Sequence, residues 1–387
     1  MAGVLLVLAF GGFVALGLGD GALGVAWPSV ATAFERDLSE LGVLIAVGVA
    51  GYLLASLLTG RLERRFGIGV VLVVSAVLMG AGFAGYAGAR VWPVVLVAQF
   101  AAGAGGALVD AGLNTYVALH HSARSMHFLH ASFGIGATIG PVLMATAIGL
   151  GSGWRAGYVV LALAQAVLLV SFLRLRSTWG APRAPVRGAG VVPGRAGAVL
   201  GVAVFLVYTG VEVAAGQWAY TVLTEHRSLT TSVGGAVVAG YWGALTAGRL
   251  ATGFVAARVT SRSLLVGGTA LALAGLGVFW WGGGPLDGGT GLFLTGLGLA
   301  PVFPALVLLT PDRVGSERTS GAVGHQLAAA GAGALLVPAG IGLVVDASSL
   351  GAVGPSLVAV AALLAVGAAG LVRLQGLSAL GGAGNLR

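Results

Sequence analysis

The chain has 387 residues, of which 57% are hydrophobic and only 8% are charged, whereas about 25% of the residues in an ordinary soluble domain are charged. Apolar runs long enough to cross roughly 30 Å of hydrocarbon as helices recur from one end to the other, which excludes a soluble enzyme or binding module. The absence of cysteine excludes thiolate metal sites, and the net charge of +8 comes mainly from arginines between the apolar runs, which favours membrane lipids over nucleic acid as partners.

The apolar runs predict an all-α membrane protein with twelve transmembrane helices. We interpret the first run as a transmembrane helix and not as a cleaved leader, because no basic segment precedes it. The predicted spans are 4–30, 41–60, 69–88, 93–118, 127–149, 155–173, 197–222, 233–256, 263–282, 290–310, 320–344 and 353–373.

One long polar connection divides the chain. It runs from 174 to 195 and contains five arginines and three prolines. We therefore predict an N-terminal six-helix bundle over 1–173, a basic cytoplasmic linker over 174–195 and a C-terminal six-helix bundle over 196–387.

The arginines predict the orientation. With both termini in the cytoplasm, 15 arginines lie on the cytoplasmic side and 4 on the outer side, as the positive-inside rule requires. All 20 basic residues are Arg, and together with abundant Gly, Ala and Val this indicates a GC-rich bacterial genome. We predict a multi-pass protein of the bacterial inner (plasma) membrane.

The two halves share short motifs at matching places. Gly51-Tyr52 in the second predicted span corresponds to Gly240-Tyr241 in the eighth, and a Gly-x-Φ-x-x-Arg pattern (Φ, an aliphatic residue) follows both of these pairs. Such degenerate similarity predicts two parallel six-helix repeats, a known design of membrane transporters.

Four charged residues stand inside the predicted spans: Asp20, Asp110, Glu212 and Arg249. A charge at the bilayer centre costs roughly 2.5–3.5 kcal/mol on insertion scales. Charges at this depth normally face a bundle interior or a wet cavity, where they carry protons or bind ions and substrate. They favour a coupled transporter, although a helix cap for Asp20 remains a structural alternative.

The first two acids have polar neighbours that suit proton coupling. Asp110 and Asn114 are four residues apart and therefore share a helix face. We predict proton coupling by Asp20, Asp110 and His130 and substrate binding by Asn114. Hydrogen bonding between helices is the structural alternative for this face.

The seventh and eighth predicted spans contribute a second polar group. Glu212, Gln217 and Trp218 suit a polyol, since polar groups bind hydroxyls and an aromatic face covers C–H surface. An interfacial tryptophan belt is the alternative. Arg249 is predicted to form a structural ion pair or gate, or else to extend to the lipid headgroups.

The six-plus-six pattern, the basic middle loop and the turn Gly60-Arg-Leu-Glu-Arg-Arg-Phe-Gly67 resemble the major facilitator superfamily. The resemblance covers nearly the whole chain and implies a gating role for Arg65. The turn departs from the family pattern, because Arg64 occupies the common Asp position and the acid, Glu63, stands one residue earlier.

Several stretches resemble the fucose–proton symporter family and its glucose-transporting relatives. They are Gly17-Leu-Gly-Asp20, Asp110-Ala-Gly-Leu-Asn114, Leu129-His130-Ala-Ser-Phe-Gly134, Tyr208-Thr-Gly-Val-Glu212 and Gly324-His-Gln326. The resemblance implies that Asp20 and Asp110 fall where that family keeps its proton-handling carboxylates, although the family often has Glu at the second place. It also implies a substrate contact for Gln326.

The pattern Gly136-x-x-x-Gly140-Pro141 has two interpretations. It is typical of close helix packing, and it also resembles a motif of proton-driven drug exporters. Glycine-rich segments elsewhere are not followed by Lys-Ser/Thr, so no phosphate-binding loop is predicted.

These patterns together predict a monomeric transporter that is not an enzyme. We expect proton-coupled symport of a sugar or similar small polar solute by alternating access, with no cofactor or metal other than the coupling ion, a proton or sodium. The alternatives are a proton-coupled exporter of drugs or apolar compounds, a lipid transporter, and a solute receptor that does not transport.

Overall fold

The computed structural model of the protein describes residues 2–36, 40–180 and 195–384, and this part of the chain is helical nearly throughout. The helices of the first half are α1 (Ala2–Ala33), α2 (Leu41–Phe66), α3 (Ile68–Gly88), α4 (Trp92–His120), α5 (Ala123–Gly149) and α6 (Gly153–Leu175). Those of the second half are α7 (Arg195–Thr221), α8 (Thr231–Val255), α9 (Ser261–Trp281), α10 (Pro285–Leu299), α11 (Val302–Leu308), α12 (Thr310–Val314), α13 (Ser316–Ala347) and α14 (Val353–Gly384).

The twelve predicted spans correspond to long helices, which confirms the predicted fold class. Within the described residues, eleven helical segments are long and apolar enough to cross a membrane, and α8 adds another helix of 25 residues. The tenth predicted span is divided into α10 and α11 around Ala300 and Pro301. Proline interrupts the span because it lacks the backbone N–H that would continue the helix.

The second helix continues beyond the predicted end of its span at residue 60. Helix α2 continues through Gly60 to Phe66, and the chain reverses only at Gly67, whose φ of 79° favours glycine. The helix persists beyond the apolar run because Arg64 and Arg65 occupy its last turn, where positive charge is favourable.

The contacts divide the chain into two compact units. Unit 1 contains Met1–His121, Phe128–Arg183 and Val323–Ala328, and unit 2 contains Ser122–His127, Ala184–Ala322 and Ala329–Arg387. The predicted division into 1–173, 174–195 and 196–387 stays a prediction. Much of the predicted linker, 181–194, lies outside the described residues.

Glycine lets the helices of unit 1 approach closely. A Cβ atom on Gly51 of α2 would lie 2.3 Å from the carbonyl oxygen of Phe100 in α4, and one on Gly103 of α4 would lie 2.1 Å from the carbonyl oxygen of Gly48. Only glycine fits at such contacts. The close packing of α2 on α4 brings Tyr52, the neighbour of Gly51, to the same level as Asp110.

Glycine also lets the helices of unit 2 approach closely. A Cβ atom on Gly333 of α13 would lie 2.0 Å from the carbonyl oxygen of Leu206 in α7, and one on Gly210 of α7 would lie 2.3 Å from Cγ2 of Val337. Helices α7 and α13 therefore pack backbone against backbone. This packing positions the polar residues of α7 that follow Gly210.

Candidate functional site

In unit 1, the carboxyl group of Asp110 accepts hydrogen bonds at both oxygens. Tyr52 of α2 donates its hydroxyl to Oδ2 at 2.5 Å, and Asn114, one turn later in α4, donates its amide to Oδ1 at 2.6 Å. The same amide lies 3.0 Å from the backbone oxygen of Asp110. The two donors hold the carboxyl group in a fixed orientation.

His130 of α5 extends this network. Its Nε2 lies 3.0 Å from Oδ1 of Asn114, and its ring meets the edge of Phe13 with the ring centroids 5.5 Å apart. Asn114 is fully buried and His130 is 6% exposed. Tyr52, Asp110, Asn114 and His130 thus form a continuous hydrogen-bonded chain across three helices, which we call the α4 network.

Asp20 of α1 lies near the α4 network but is not bonded into it. Its carboxylate is close enough to Asp110 for the two charges to interact, and its side chain is exposed, whereas that of Asp110 is only partly exposed. An exposed carboxylate facing lipid would be costly. We therefore expect the face of α1 that carries Asp20 to contact water.

Unit 2 contains a second polar cluster around Glu212 of α7. Tyr208 donates its hydroxyl to Oε2 of Glu212, and Nη2 of Arg249 in α8 lies 3.3 Å from the same oxygen. Tyr241 of α8 donates to the backbone oxygen of Glu212 at 2.8 Å. Tyr208 and Tyr241 are fully buried, and Arg249 is 8% exposed. We call this group the Glu212 cluster.

The contacts of the Glu212 cluster show where the side chain of Arg249 lies. The guanidinium lies inside the protein and pairs with Glu212, so an extension to the lipid headgroups does not describe it. Both side-chain contacts of Glu212 within the described residues fall on Oε2, so Oε1 is the oxygen that can accept from a bound hydroxyl. The roles predicted for Glu212 and Arg249 stay predictions.

The remaining predicted substrate residues are Trp218, Gln217 and Gln326. Trp218 donates its indole N–H to the backbone oxygen of Pro338 at 3.1 Å and is thereby fixed against α13. Gln217 is exposed, and Gln326 of α13 is buried and has polar interactions of its own. Arg65 is exposed, with its guanidinium 5.3 Å from the ring centre of Phe66.

The glycine pattern of α5 forms a helix contact. A Cβ atom on Gly136 would lie 2.0 Å from the backbone oxygen of Val14, and one on Gly140 would lie 2.4 Å from that of Leu18. Gly17 of α1 meets α5 in the same way at Phe133. The packing interpretation therefore accounts for Gly136 and Gly140. The side chain of Pro141 lies outside the described residues.

Gly136→Ala is expected to lower the stability of the purified protein by roughly 1–3 kcal/mol, because the added methyl group forces α1 and α5 apart. The measurement is the thermal unfolding midpoint in detergent. Gly149→Ala is the matched control, since a Cβ atom at that end of the same helix would meet nothing within 4 Å. Equal midpoints for the two variants would contradict this account of the contact.

The sequence interpretation missed three tyrosines as site residues: Tyr52, Tyr208 and Tyr241. A signal for two of them was present, because Gly51-Tyr52 and Gly240-Tyr241 are the pair that relates the two halves. Each of these tyrosines donates to an acidic residue of its own unit, Tyr52 to the carboxyl group of Asp110 and Tyr241 to the backbone oxygen of Glu212. Among the described residues, no group of three or more His, Asp or Glu side chains is placed to hold a metal ion.

The sequence profile of the Major Facilitator Superfamily matches residues 9–338, and no curated protein sequence matches the chain. The crystal structure of the E. coli fucose:proton symporter FucP is similar, with a TM-score of 0.73, 15% identity, and coverage of 95% of this chain and 98% of that one.

Two further structures are similar at 15% identity, which shows the fold alone. The proton:xylose symporter XylE has a TM-score of 0.70 over 93% of this chain and 94% of its own. The human organic anion transporter MFSD10 has a TM-score of 0.74 over 94% and 98%. The profile match covers most of the chain, and the described helices have the corresponding fold, so the chain belongs to the Major Facilitator Superfamily.

Proposed function

We propose that this transporter couples the uptake of a sugar or similar small polar solute to the entry of protons, by alternating access. The observation that carries the proposal is the α4 network with Asp20 beside it. Residues of this kind inside membrane-spanning helices mark ion and proton pathways. The similar structures of a fucose:proton symporter and a proton:xylose symporter support the same activity.

Asp110 and Asp20 are the proposed proton carriers. Two nearby carboxylates repel each other when both are charged, so one proton shared between them is favourable. Tyr52 and Asn114 donate to the two carboxyl oxygens of Asp110 and hold this group near Asp20. A proton on either carboxyl group would relieve the repulsion between them, so the pair suits the uptake and release of a proton. Sodium is the alternative coupling ion, because carboxylates bind it too.

Asn114 and His130 would connect this pair to the solute. A hydroxyl that displaces His130 from the oxygen of Asn114 would change the hydrogen bonds around Asp110. Such a step would link solute binding to proton affinity. Oε1 of Glu212, Gln217, Trp218 and Gln326 are the proposed solute contacts of the second half.

A thermal-shift screen of the purified protein tests the solute class. We expect a hexose-sized polyol to raise the unfolding midpoint and its deoxy analogues to bind about tenfold more weakly, because a lost hydroxyl leaves a buried group unpaired at about 1–3 kcal/mol. Glu212→Gln should weaken the binding of the polyol by a similar factor. This substitution is preferred to Glu212→Ala because the amide still gives Arg249 a hydrogen-bonding partner. The control is Glu317→Gln, at an exposed position in the first turn of α13.

The second candidate is an exporter of organic anions or apolar compounds. The similarity to the human organic anion transporter favours a substrate of that class. The glycine pattern of α5 favours it less, because a helix contact accounts for that pattern. In the same screen, tight binding of hydrophobic ions with no response to any sugar would favour the exporter function over the symporter function.

Both termini are proposed to lie in the cytoplasm of a bacterial cell. The chain has no cysteine, so the reactivity of a single introduced cysteine shows on which side of the membrane that position lies. Cysteines at the exposed positions Ser152 and Ser348 should react with an impermeant thiol reagent from outside, and one at Ser177 should react only after lysis. The reverse pattern would contradict the orientation.

A further inference from the structure

A cavity of about 400 Å³ lies in unit 2, away from the Glu212 cluster. It is formed where the π-helical turn after α7 (Val222–His226), the end of α9 and the segment before α14 come together. The lining residues that determine what it can bind are His226, Arg227, Trp280, Trp281, Gly283 and Gly351. The volume is in the range of small-molecule sites.

Arg227 gives the cavity its charge. Its Nη2 donates to the backbone oxygen of Phe279, and its guanidinium lies 4.7 Å from the centre of the Phe279 ring. Within the described residues Arg227 forms no ion pair, and its buried Nη1 has no hydrogen-bonding partner. Burial lowers the pKa of Arg227, and Asp287, whose side chain lies against Gly282 of the cavity lining, opposes that effect. The hydrogen bond to Phe279 holds the guanidinium in place, and arginine keeps its charge.

His226 and the glycines shape the space beside this charge. The imidazole is exposed, and a Cβ atom on Gly351 would lie 3.4 Å from its Cε1. A Cβ atom on Gly283 would meet nothing within 4 Å, so the cavity is open beside that residue. None of the residues that line the cavity is acidic. A cation and an imidazole in such a space suit an anion with several oxygens.

The two tryptophans place the cavity at the edge of the membrane. The rings of Trp280 and Trp281 lie 5.2 Å apart at their centroids, and Trp281 is 83% exposed. They end a membrane-spanning helix, Ser261–Trp281. Tryptophan is enriched at this level because the indole combines an apolar body with a polar N–H. An amphiphile with an anionic headgroup would contact the guanidinium of Arg227 with that headgroup and the tryptophan rings with its apolar part.

We propose that this cavity binds a phosphate-type anionic group, either the headgroup of an anionic phospholipid or a small organic phosphate. The guanidinium of Arg227 supplies the charge, the His226 imidazole supplies a further hydrogen bond, and Trp280 and Trp281 cover the apolar part of the ligand. The site is distinct from the α4 network and from the Glu212 cluster, so it does not depend on the proposed transport activity.

The test measures unfolding midpoints and dissociation constants for the purified full chain in a neutral detergent. The probes are phosphatidylglycerol against phosphatidylcholine, and glycerol 3-phosphate against glycerol. We expect the anionic probe of at least one pair to raise the midpoint of the unmodified protein, since a ligand that binds only the folded state stabilises it. A response to phosphatidylglycerol alone identifies the lipid as the source, and a response to glycerol 3-phosphate identifies the phosphate group itself.

Two kinds of variant locate the binding. Arg227→Gln should weaken it about tenfold or more, whereas Arg90→Gln, at an exposed arginine of another loop, should not. Gly283→Leu adds a bulky side chain to the cavity lining and should weaken binding equally, whereas Gly277→Leu, where a Cβ atom also meets nothing within 4 Å, should not. Gly283→Leu carries the test if Arg227→Gln fails to fold. The proposal is overturned if neither anionic probe raises the midpoint, or if the cavity variants bind like their controls.

Discussion

Asp110→Asn is expected to abolish accumulation of solute against its gradient while solute exchange across the membrane continues. Asparagine keeps a side-chain oxygen for the hydroxyl of Tyr52, which lies 2.5 Å from Oδ2 in the unmodified protein, but it cannot take up a proton. The variant loses only the step in which the unloaded transporter returns across the membrane after releasing its proton. We expect the accumulation ratio to fall to about one, while counterflow of labelled solute stays within about threefold of the unmodified rate.

The measurement uses proteoliposomes with an imposed pH gradient, and counterflow with no gradient. Asp346→Asn is the matched control, because that carboxylate is exposed on α13 and belongs to neither cluster. The Asn114 amide now faces a second amide, so a moderate loss of stability, about 1 kcal/mol, is expected as well. Accumulation at the unmodified level in Asp110→Asn would remove this residue from the coupling role.

Arg249→Leu is expected to destabilise the protein by roughly 3 kcal/mol, because it leaves the largely buried carboxylate of Glu212 without its cationic partner. Only Tyr208 would remain to donate to Oε2. The double variant Arg249→Leu with Glu212→Leu should recover most of the loss, since apolar residues of similar volume can replace a buried ion pair at little cost. The measurement is the unfolding midpoint of each variant in the same detergent.

The double-mutant cycle separates the pair from its surroundings. Arg262→Leu is the control, at an exposed arginine near the start of α9. If the two single losses simply add in the double variant, the 3.3 Å contact between Arg249 and Glu212 contributes no coupling. That result would leave the Glu212 cluster without an electrostatic basis.

The fold could be predicted from hydropathy because lipid requires every backbone polar group to be satisfied within its own segment. Each long apolar run therefore had to be a helix. The ends were harder to predict, as α2 illustrates. Its last turn carries Arg64 and Arg65, which end the apolar run but stabilise the helix, so the helix is six residues longer than the 41–60 prediction.

The charged residues of the candidate site could be identified from sequence, and their partners could not. Asp110 stands out because a charge among apolar residues has no structural reason to be there unless it is partnered. Tyr52 does not stand out, because its ring suits an apolar helix and only its hydroxyl is polar. The two residues are 58 positions apart, and the backbone contact at Gly51 that brings them together follows from packing and not from any local pattern.

Glu212 shows the same limit in a different form. The sequence predicts a carboxylate that binds hydroxyls at Glu212 and gives no sign that Arg249 is its partner. The structure joins them through Oε2, to which Tyr208 also donates, and Tyr241 donates to the backbone oxygen of Glu212. A solute contact at Glu212 must therefore use its other oxygen or compete with Arg249.

Proton movement on addition of solute tests the symporter account most directly. Proteoliposomes are suspended in weakly buffered medium without an ion gradient, and the external pH is followed as a hexose-sized polyol is added. The account predicts that the medium becomes more alkaline with the unmodified protein and stays constant with Asp110→Asn. Acidification by a transported solute, or solute uptake with no proton movement in the unmodified protein, would contradict it.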